Sequence, residues 1–238
     1  MLKRLLRSDF IRSKVKALLK TGVFCYEYSL APIVNWFFFH HLMFRTEDFG
    51  HTQWMGKHCW QNIMDLWVLQ EVVYEVKPEL IIETGTNKAG STFFYANLFD
   101  LMGQGRVVSI DIDRRHKHTH PRIEFMIGDT VAPETLAKVR KIVESVKGPI
   151  LVILDSDHSE QHVLKEMEAH APFVTPNSYF WVQDGVIDTH IMWCRMRPGP
   201  LPAIKKFLKT HLNFQVDHEK CQRFVITTHP LGWLKRTS

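Results

Sequence analysis

From about residue 60 onward, short apolar runs without alternation take turns with segments of helical period. "ELIIE", "RVVSIDID", "RIEFMIGD", "PILVILDSD" and "SYFWVQDG" read as strands. "DLWVLQEVVYEV", "STFFYANLFDLMG", "PETLAKVRKIVESV", "SEQHVLKEMEAHAPFV" and "LPAIKKFLKTHL" read as helices, Gly103 closing one and Pro133 opening another. Apolar runs that do not alternate belong to strands covered on both faces, which is the signature of a parallel sheet. Two late runs, "FQVD" and "CQRFVITT", are separated only by "HEK", so an antiparallel hairpin is expected at the end. Five βα units and a terminal hairpin make an α/β, Rossmann-like layout. It has a mostly parallel seven-stranded sheet with helices on both faces.

In open α/β sheets ligands bind beyond the carboxyl ends of the strands. Each of the five leading strands ends on an acid: Glu83, Asp111, Asp129, Asp155 and Asp184. Like charges on one rim repel unless cations or donors compensate them. The first strand runs into "ETGTNKAGST", whose glycines, Gly85 and Gly90, do not match the G-x-G-x-x-G of a dinucleotide turn. Glu83 there would repel a pyrophosphate but suits a phosphate-free, cationic ligand such as S-adenosylmethionine. Glu83, Gly85, Thr86, Asn87 and Ser91 are therefore the expected cofactor turn. Asp111 is placed for ribose hydroxyls, and Asp129 with Thr130 for the adenine edge. The alternative for the two glycines is a tight turn without a ligand.

Asp155, Gln183 and Asp184 end two further strands and offer hard oxygen atoms to a divalent ion such as Mg2+. Such an ion would lower the pKa of an acceptor hydroxyl. His158, on the loop after Asp155, is the candidate base for its proton. The competing reading makes Asp155 a helix cap, Asp184 a turn residue and His158 an idle helix-start histidine. His158-Ser159-Glu160 also fits the short part of a non-haem iron motif, but an α/β alternation is not the barrel such sites use. "RRHKHTH" (114–120) reads as a solvated loop. "IDTHIMWCRMRPGP" reads as a wall or lid, with Trp193, Arg195 and Arg197 facing either a substrate or another subunit.

Ahead of this domain, expected over 49–238, residues 1–48 form a different kind of segment. The start, "MLKRLLRSDFIRSKVKALLK", is basic and amphipathic, and supplies part of the chain's +5 charge and pI near 9.0. It lacks the apolar core of a secretory signal. The stretch 23–44 is aromatic but interrupted by Glu27, Pro32, Asn35, His40 and His41, which argues against a spanning helix. Docking on its own domain or on a second subunit is the leading expectation for this arm, and an anionic membrane surface the alternative. A homo-oligomer is expected. Four widely spaced cysteines without C-x-x-C exclude a disulfide framework or zinc ribbon and point to a reducing, cytoplasmic setting, with peripheral contact at the inner membrane surface as an option. The basic residues are not interleaved with stacking aromatics, so no nucleic-acid partner is expected.

"KPELIIETGTNKAGST", "GRVVSIDID", "HPRIEF", "ILDSDHSEQHVLKEMEAHAPFVTPNSYFWVQD", "GP…AIKKFL" and "CQRFVITTHPLGWLKR", with "WMG" and "DLWVLQE" upstream, resemble the cephalosporin hydroxylase/rhamnosyl O-methyltransferase family over residues 50 to 236. The resemblance implies a class I fold and S-adenosylmethionine-dependent O-methylation of a sugar or natural-product hydroxyl. It also implies a magnesium site similar to that of catechol O-methyltransferases. It assigns Gly85, Thr86 and Ser91 to the cofactor turn, Asp111 to the ribose, Asp155 and Asp184 to the metal, and His158 to the place of the catechol enzymes' catalytic lysine. Gln183 departs from the family, which usually has an acid there; an amide oxygen still coordinates but brings no charge. Gly185 is a second departure, where a larger polar residue is expected. Loss of that charge leaves a rival expectation, a degenerate methyltransferase fold that binds cofactor, membrane or partner without transferring a methyl group.

Overall fold

The computed structural model describes residues 9–224 and 226–238. The chain divides into two compact units, 1–47 and 48–238. Among its described residues the first holds two helices, α1 (Asp9–Ser29) and α2 (Ala31–Thr46). The break between them falls just before Pro32, which is tolerated only in the first turn of α2 because it has no N–H to donate. The part of the expected basic helix before Asp9 lies outside the described residues. No described helix is long and apolar enough to cross a membrane.

The second unit opens with a short antiparallel ribbon, β1 (Gln53–Trp54) and β2 (Lys57–His58), and then α3 (Ile63–Val76). There follow β3 (Leu80–Thr84), α4 (Gly90–Met102), β4 (Arg106–Asp111), β5 (Ile123–Ile127), α5 (Pro133–Glu144), β6 (Ile150–Leu154), α6 (Glu160–His170) and β7 (Tyr179–Val182). The chain closes with α7 (Pro200–Thr210), β8 (Phe214–Val216), α8 (His218–Cys221) and β9 (Trp233–Arg236). The seven-stranded sheet has the order β5-β4-β3-β6-β7-β9-β8. β3 to β7 pair in parallel, and β9 lies antiparallel between β7 and β8.

Alternate strand positions feed two cores, as the period-two side-chain geometry of a strand requires. Leu80, Ile82, Val108, Ile110, Val152 and Leu154 face α5, α6 and α7, with Val139, Met167 and Phe207 opposite them. Ile81, Val107, Leu151, Ile153 and Trp181 face α3 and α4, with Leu69, Val73, Tyr95 and Phe99. Each such aliphatic side chain contributes roughly 1.5–3 kcal/mol on burial. Double coverage is why these runs do not alternate.

One expected strand is not where the sequence placed it. "CQRFVITT" is not the last strand: Cys221 ends α8, and the antiparallel partner of β7 is Trp233–Arg236. Asp217 is the reason. Its Oδ1 accepts from the Lys220 N–H at 3.0 Å and caps α8, so "HEK" is a helical turn rather than a hairpin link. Gly232 then brings the chain back against the sheet, where a Cβ would sit 2.1 Å from the Val182 carbonyl oxygen.

Candidate active site

The carboxyl ends of β3, β4, β6 and β7 meet at one rim. At the end of β3 the turn is shaped by its own protein contacts. Gly85 has φ +88°, and a Cβ there would lie 1.8 Å from the Asp155 carbonyl oxygen. Gly90 would meet the His58 carbonyl oxygen at 1.8 Å. Both glycines therefore serve close backbone approach within the fold, where the sequence suggested close approach to a ligand. Asn87 and Ala89 are left-handed, and the Ala89 N–H donates to the Thr86 carbonyl at 2.7 Å. α4 begins without a side-chain cap, so the first-turn N–H groups of this helix stay open to an anion. Asp111, partly exposed, accepts the Asn87 N–H at 2.8 Å and fixes the turn from the neighbouring strand.

Glu83 is not a rim group. It is fully buried beneath the turn and accepts hydroxyls from Ser91 (2.8 Å), Thr92 (2.5 Å) and Ser109 (2.5 Å). Burial, opposed by those hydroxyls, pushes its carboxyl up to about 7. The Ser91 hydroxyl is thereby spent on Glu83, and the Thr86 hydroxyl is 2.6 Å from Ser109. Thr130 also turns inward, donating to the buried Glu166 at 2.5 Å, while Asp129 stays exposed and accepts the Val131 N–H at 3.0 Å. Apart from the exposed Lys88 and the half-buried Asn87, what the turn presents outward is backbone, with Asp111 on the neighbouring strand.

The second half of the rim is acidic. Ligand atoms of Asp155, His158 and Asp184 all lie within 4.8 Å of one another, the one such group among the described residues. The His158 Nε2 is 3.1 Å from Asp184 Oδ2. Burial first, then the charges of Asp184, Glu83 and Glu166, push the Asp155 carboxyl well above the usual carboxylate range, although the residue keeps some exposure. A cation between Asp155 and Asp184 would relieve that repulsion, so the residues fit a divalent ion. Gln183 is nearly fully buried, and its Oε1 already accepts from Gln61 Nε2 at 2.6 Å. The same Gln61 Nε2 donates to Asp155 Oδ2 at 2.8 Å. Gln61 is thus a rim residue that the sequence did not reveal. Gly185 is where it is for packing: a Cβ would meet the Pro230 carbonyl oxygen at 2.9 Å and Leu201 at 3.0 Å.

The segment after β7 folds into 3-10 turns at Gly185–Asp188 and Ile191–Met196. It borders the rim, since the Glu160 N–H donates to the Pro198 carbonyl at 3.0 Å, two residues from His158. Arg197 is committed to holding it, donating to the carbonyls of Ile187 (2.8 Å) and His190 (2.7 Å); Arg195 is exposed. Glu160 pairs with Lys206 at 2.6 Å and is absent from the metal-capable group, which removes the iron motif His158-Ser159-Glu160. In the 114–120 loop, His120 instead meets Asp100 at 3.1 Å.

Residues 47–237 match the family described as Rhamnosyl O-methyltransferase/CmcI. The rhamnosyl O-methyltransferase of Mycobacterium bovis (strain BCG / Pasteur 1173P2) is 33% identical over 192 residues, 78% of each chain. The chain belongs to the rhamnosyl O-methyltransferase/CmcI family. Its Mycobacterium leprae (strain TN) relative is 33% identical over 190 residues, covering 78% of this chain and 83% of the other. Among solved structures, a CmcI complex with Mg and SAM superposes with a TM-score of 0.63 at 21% identity, covering 80% of this chain and 78% of that one. A CmcI apo-structure gives 0.64, also at 21% identity and with the same coverage. This family fold is the doubly wound sheet expected from the strand and helix pattern.

Proposed function

We propose that this family member transfers a methyl group from S-adenosylmethionine to a hydroxyl of a saccharide or natural-product acceptor, assisted by a divalent ion, Mg2+ in the first instance. The observation that carries this is the cluster of Asp155, His158 and Asp184 at adjacent strand ends, beside a turn whose helix start is uncapped. Relatives named for rhamnosyl O-methylation, and a CmcI neighbour solved with Mg and SAM, support the same reading.

The chain's own groups divide the work. The backbone of Gly85, Thr86 and Asn87 and the open start of α4 at Ser91 hold the amino-acid end of the cofactor. Asp111 accepts from ribose hydroxyls, and Asp129 with the backbone of Thr130 borders the adenine. When bound, S-adenosylmethionine supplies an electrophilic sulfonium methyl, and the ion supplies Lewis acidity that lowers the pKa of the acceptor hydroxyl. Asp155 and Asp184 hold that ion, with the remaining lone pair of the Gln183 oxygen beside them. The His158 ring, 3.1 Å from Asp184 Oδ2 through its Nε2, would accept the proton of the acceptor hydroxyl. Holding the two reactants in line lowers the barrier further.

Asp155→Ala separates the two halves. Methyl transfer falls by at least about 100-fold, while calorimetric affinity for S-adenosylmethionine stays within about threefold. Normal turnover by this variant refutes the metal-rim assignment; a native chain that binds cofactor but methylates no saccharide or natural-product hydroxyl supports the degenerate alternative.

The arm, residues 1–48 as read from the sequence, serves as a contact surface. It carries eight basic and three acidic residues over 1–47, so the whole +5 of the chain falls there and residues 48–238 are balanced, 22 against 22. Leu18, Leu19, Val23, Ile33, Phe37 and Phe38 are exposed on it. Basic charge beside exposed apolar and aromatic side chains favours peripheral contact with an anionic membrane, with a second subunit as the competing occupant.

A further inference from the structure

Asp184 sits in a left-handed conformation, φ +57° and ψ +27°, which is uncommon for a residue with a side chain. Something must hold it there, because its carboxylate is one wall of the rim. Its backbone N–H donates to His229 Nδ1 at 2.8 Å. An accepting Nδ1 assigns the ring proton to Nε2. Nε2 faces the Thr228 hydroxyl at 3.0 Å, and that hydroxyl donates to Asp65 Oδ2 at 2.9 Å. The donors therefore run in one direction, from Asp184 N–H through His229 and Thr228 to a buried carboxylate.

Every member of that chain is fixed. The His229 ring is 1% exposed and meets the Trp181 indole edge-on at 4.9 Å. Asp65 also accepts from Asn62 Nδ2 (2.9 Å), the Thr227 hydroxyl (2.6 Å) and the Thr228 N–H (2.8 Å). On either side, the Val182 N–H donates to the Gly232 carbonyl at 2.9 Å and the Val186 N–H to the Thr228 carbonyl at 3.0 Å. Residues 228–232 thus clamp the end of β7 at both shoulders of Asp184. A negative charge at the far end of a polarised hydrogen-bond chain makes Nδ1 a stronger acceptor. His229 contacts neither end of the reaction, so its action on the rim runs through Asp184.

We propose that His229, backed by Thr228 and Asp65, is a positioning residue that holds Asp184 in the orientation needed to bind the divalent ion. The proposal rests on the divalent-ion reading above. Partners behind a metal ligand are worth about 10–100-fold in metal affinity.

Three variants and one ion test it. In Asn, the side-chain oxygen falls near the position of Nδ1; in Gln, the amide falls near Nε2; Leu has no acceptor. Mn2+ affinity is read by calorimetry and by electron paramagnetic resonance, without substrate. His229→Asn is expected to stay within about threefold of native, while His229→Gln and His229→Leu weaken Mn2+ by about tenfold or more. Affinity for S-adenosylmethionine and the thermal midpoint show that each variant is folded. Native Mn2+ affinity in folded His229→Leu overturns the proposal, and so does equal affinity of the Asn and Gln variants. Should the native chain take no Mn2+, the ion reading falls by itself. Metal-free crystal structures then decide the positioning role: Asp184 leaving the left-handed region in His229→Gln but not in His229→Asn supports it, and Asp184 unmoved in both overturns it.

Discussion

Asp155 and Asp184 are two carboxylates with ligand atoms within 4.8 Å of one another and of the His158 ring, and the charge of a fully buried acid, Glu83, also bears on Asp155. Their residue types and strand-end positions could be read from the sequence, because a strand followed by an acid is a local pattern. Their supports were hidden. Gln61 reaches Asp155 and Gln183 across 94 and 122 residues, and Asp65 reaches Thr228 across 163, separations at which spacing carries no signal. The only local trace is Asn62, which caps α3 by accepting the Met64 N–H at 3.1 Å and draws Gln61 and Asp65 to the rim with it. Gln183→Glu adds one charge beside Asp155 and is expected to tighten Mg2+ about tenfold in calorimetry; unchanged affinity would place Gln183 outside the metal site. Glu83 gives a pH test remote from that site. A carboxyl raised to about 7 in the folded chain binds its proton more tightly there than in the unfolded chain, so its contribution falls as pH rises from about 4.5 to 7. Urea unfolding of Glu83→Gln at pH 5 and pH 8 should show a smaller loss between the two than the native chain, by on the order of 2–3 kcal/mol. Equal losses would contradict the burial of an ionisable group at this position.

Among the elements, the long doubly covered strands were legible because both faces demand apolar residues, and the helices because of their apolar period, with Pro133 and Pro200 marking two of the starts. β9 was not. Its four residues, "WLKR", give no clear period, and the β-branched stretch upstream competes better on propensity. That stretch is spent elsewhere, with Thr227 and Thr228 bonded to Asp65. The turn after β3 was legible as a turn, but the force selecting its glycines was not, since nothing local announces His58 or Asp155 as neighbours. Gly90→Ala is the direct check. A Cβ 1.8 Å from the His58 carbonyl oxygen forces β2 away from α4, and the variant should lose about 2–4 kcal/mol in denaturant unfolding. A loss below about 0.5 kcal/mol would show that the ribbon yields freely.

At the scale of the whole molecule, charge and chemistry are segregated. A charge-balanced enzyme unit follows an arm that holds the net positive charge and much of the exposed aromatic surface. Phe37→Asp with Phe38→Asp should abolish sedimentation of the full chain with phosphatidylglycerol vesicles and leave S-adenosylmethionine affinity unchanged. Equal binding to neutral phosphatidylcholine vesicles would contradict the role of the basic charge, and a shift in oligomeric state with no vesicle binding would assign the arm to protein contacts. The central claim concerns the other unit, and calorimetric titration of S-adenosylmethionine into the native chain and into Asp111→Ala tests it most directly. Saturable binding to the native chain at one site, weakened about tenfold or more in the folded variant, is the predicted result. No binding to the native chain at about 1 mM cofactor, with or without Mg2+, would contradict it.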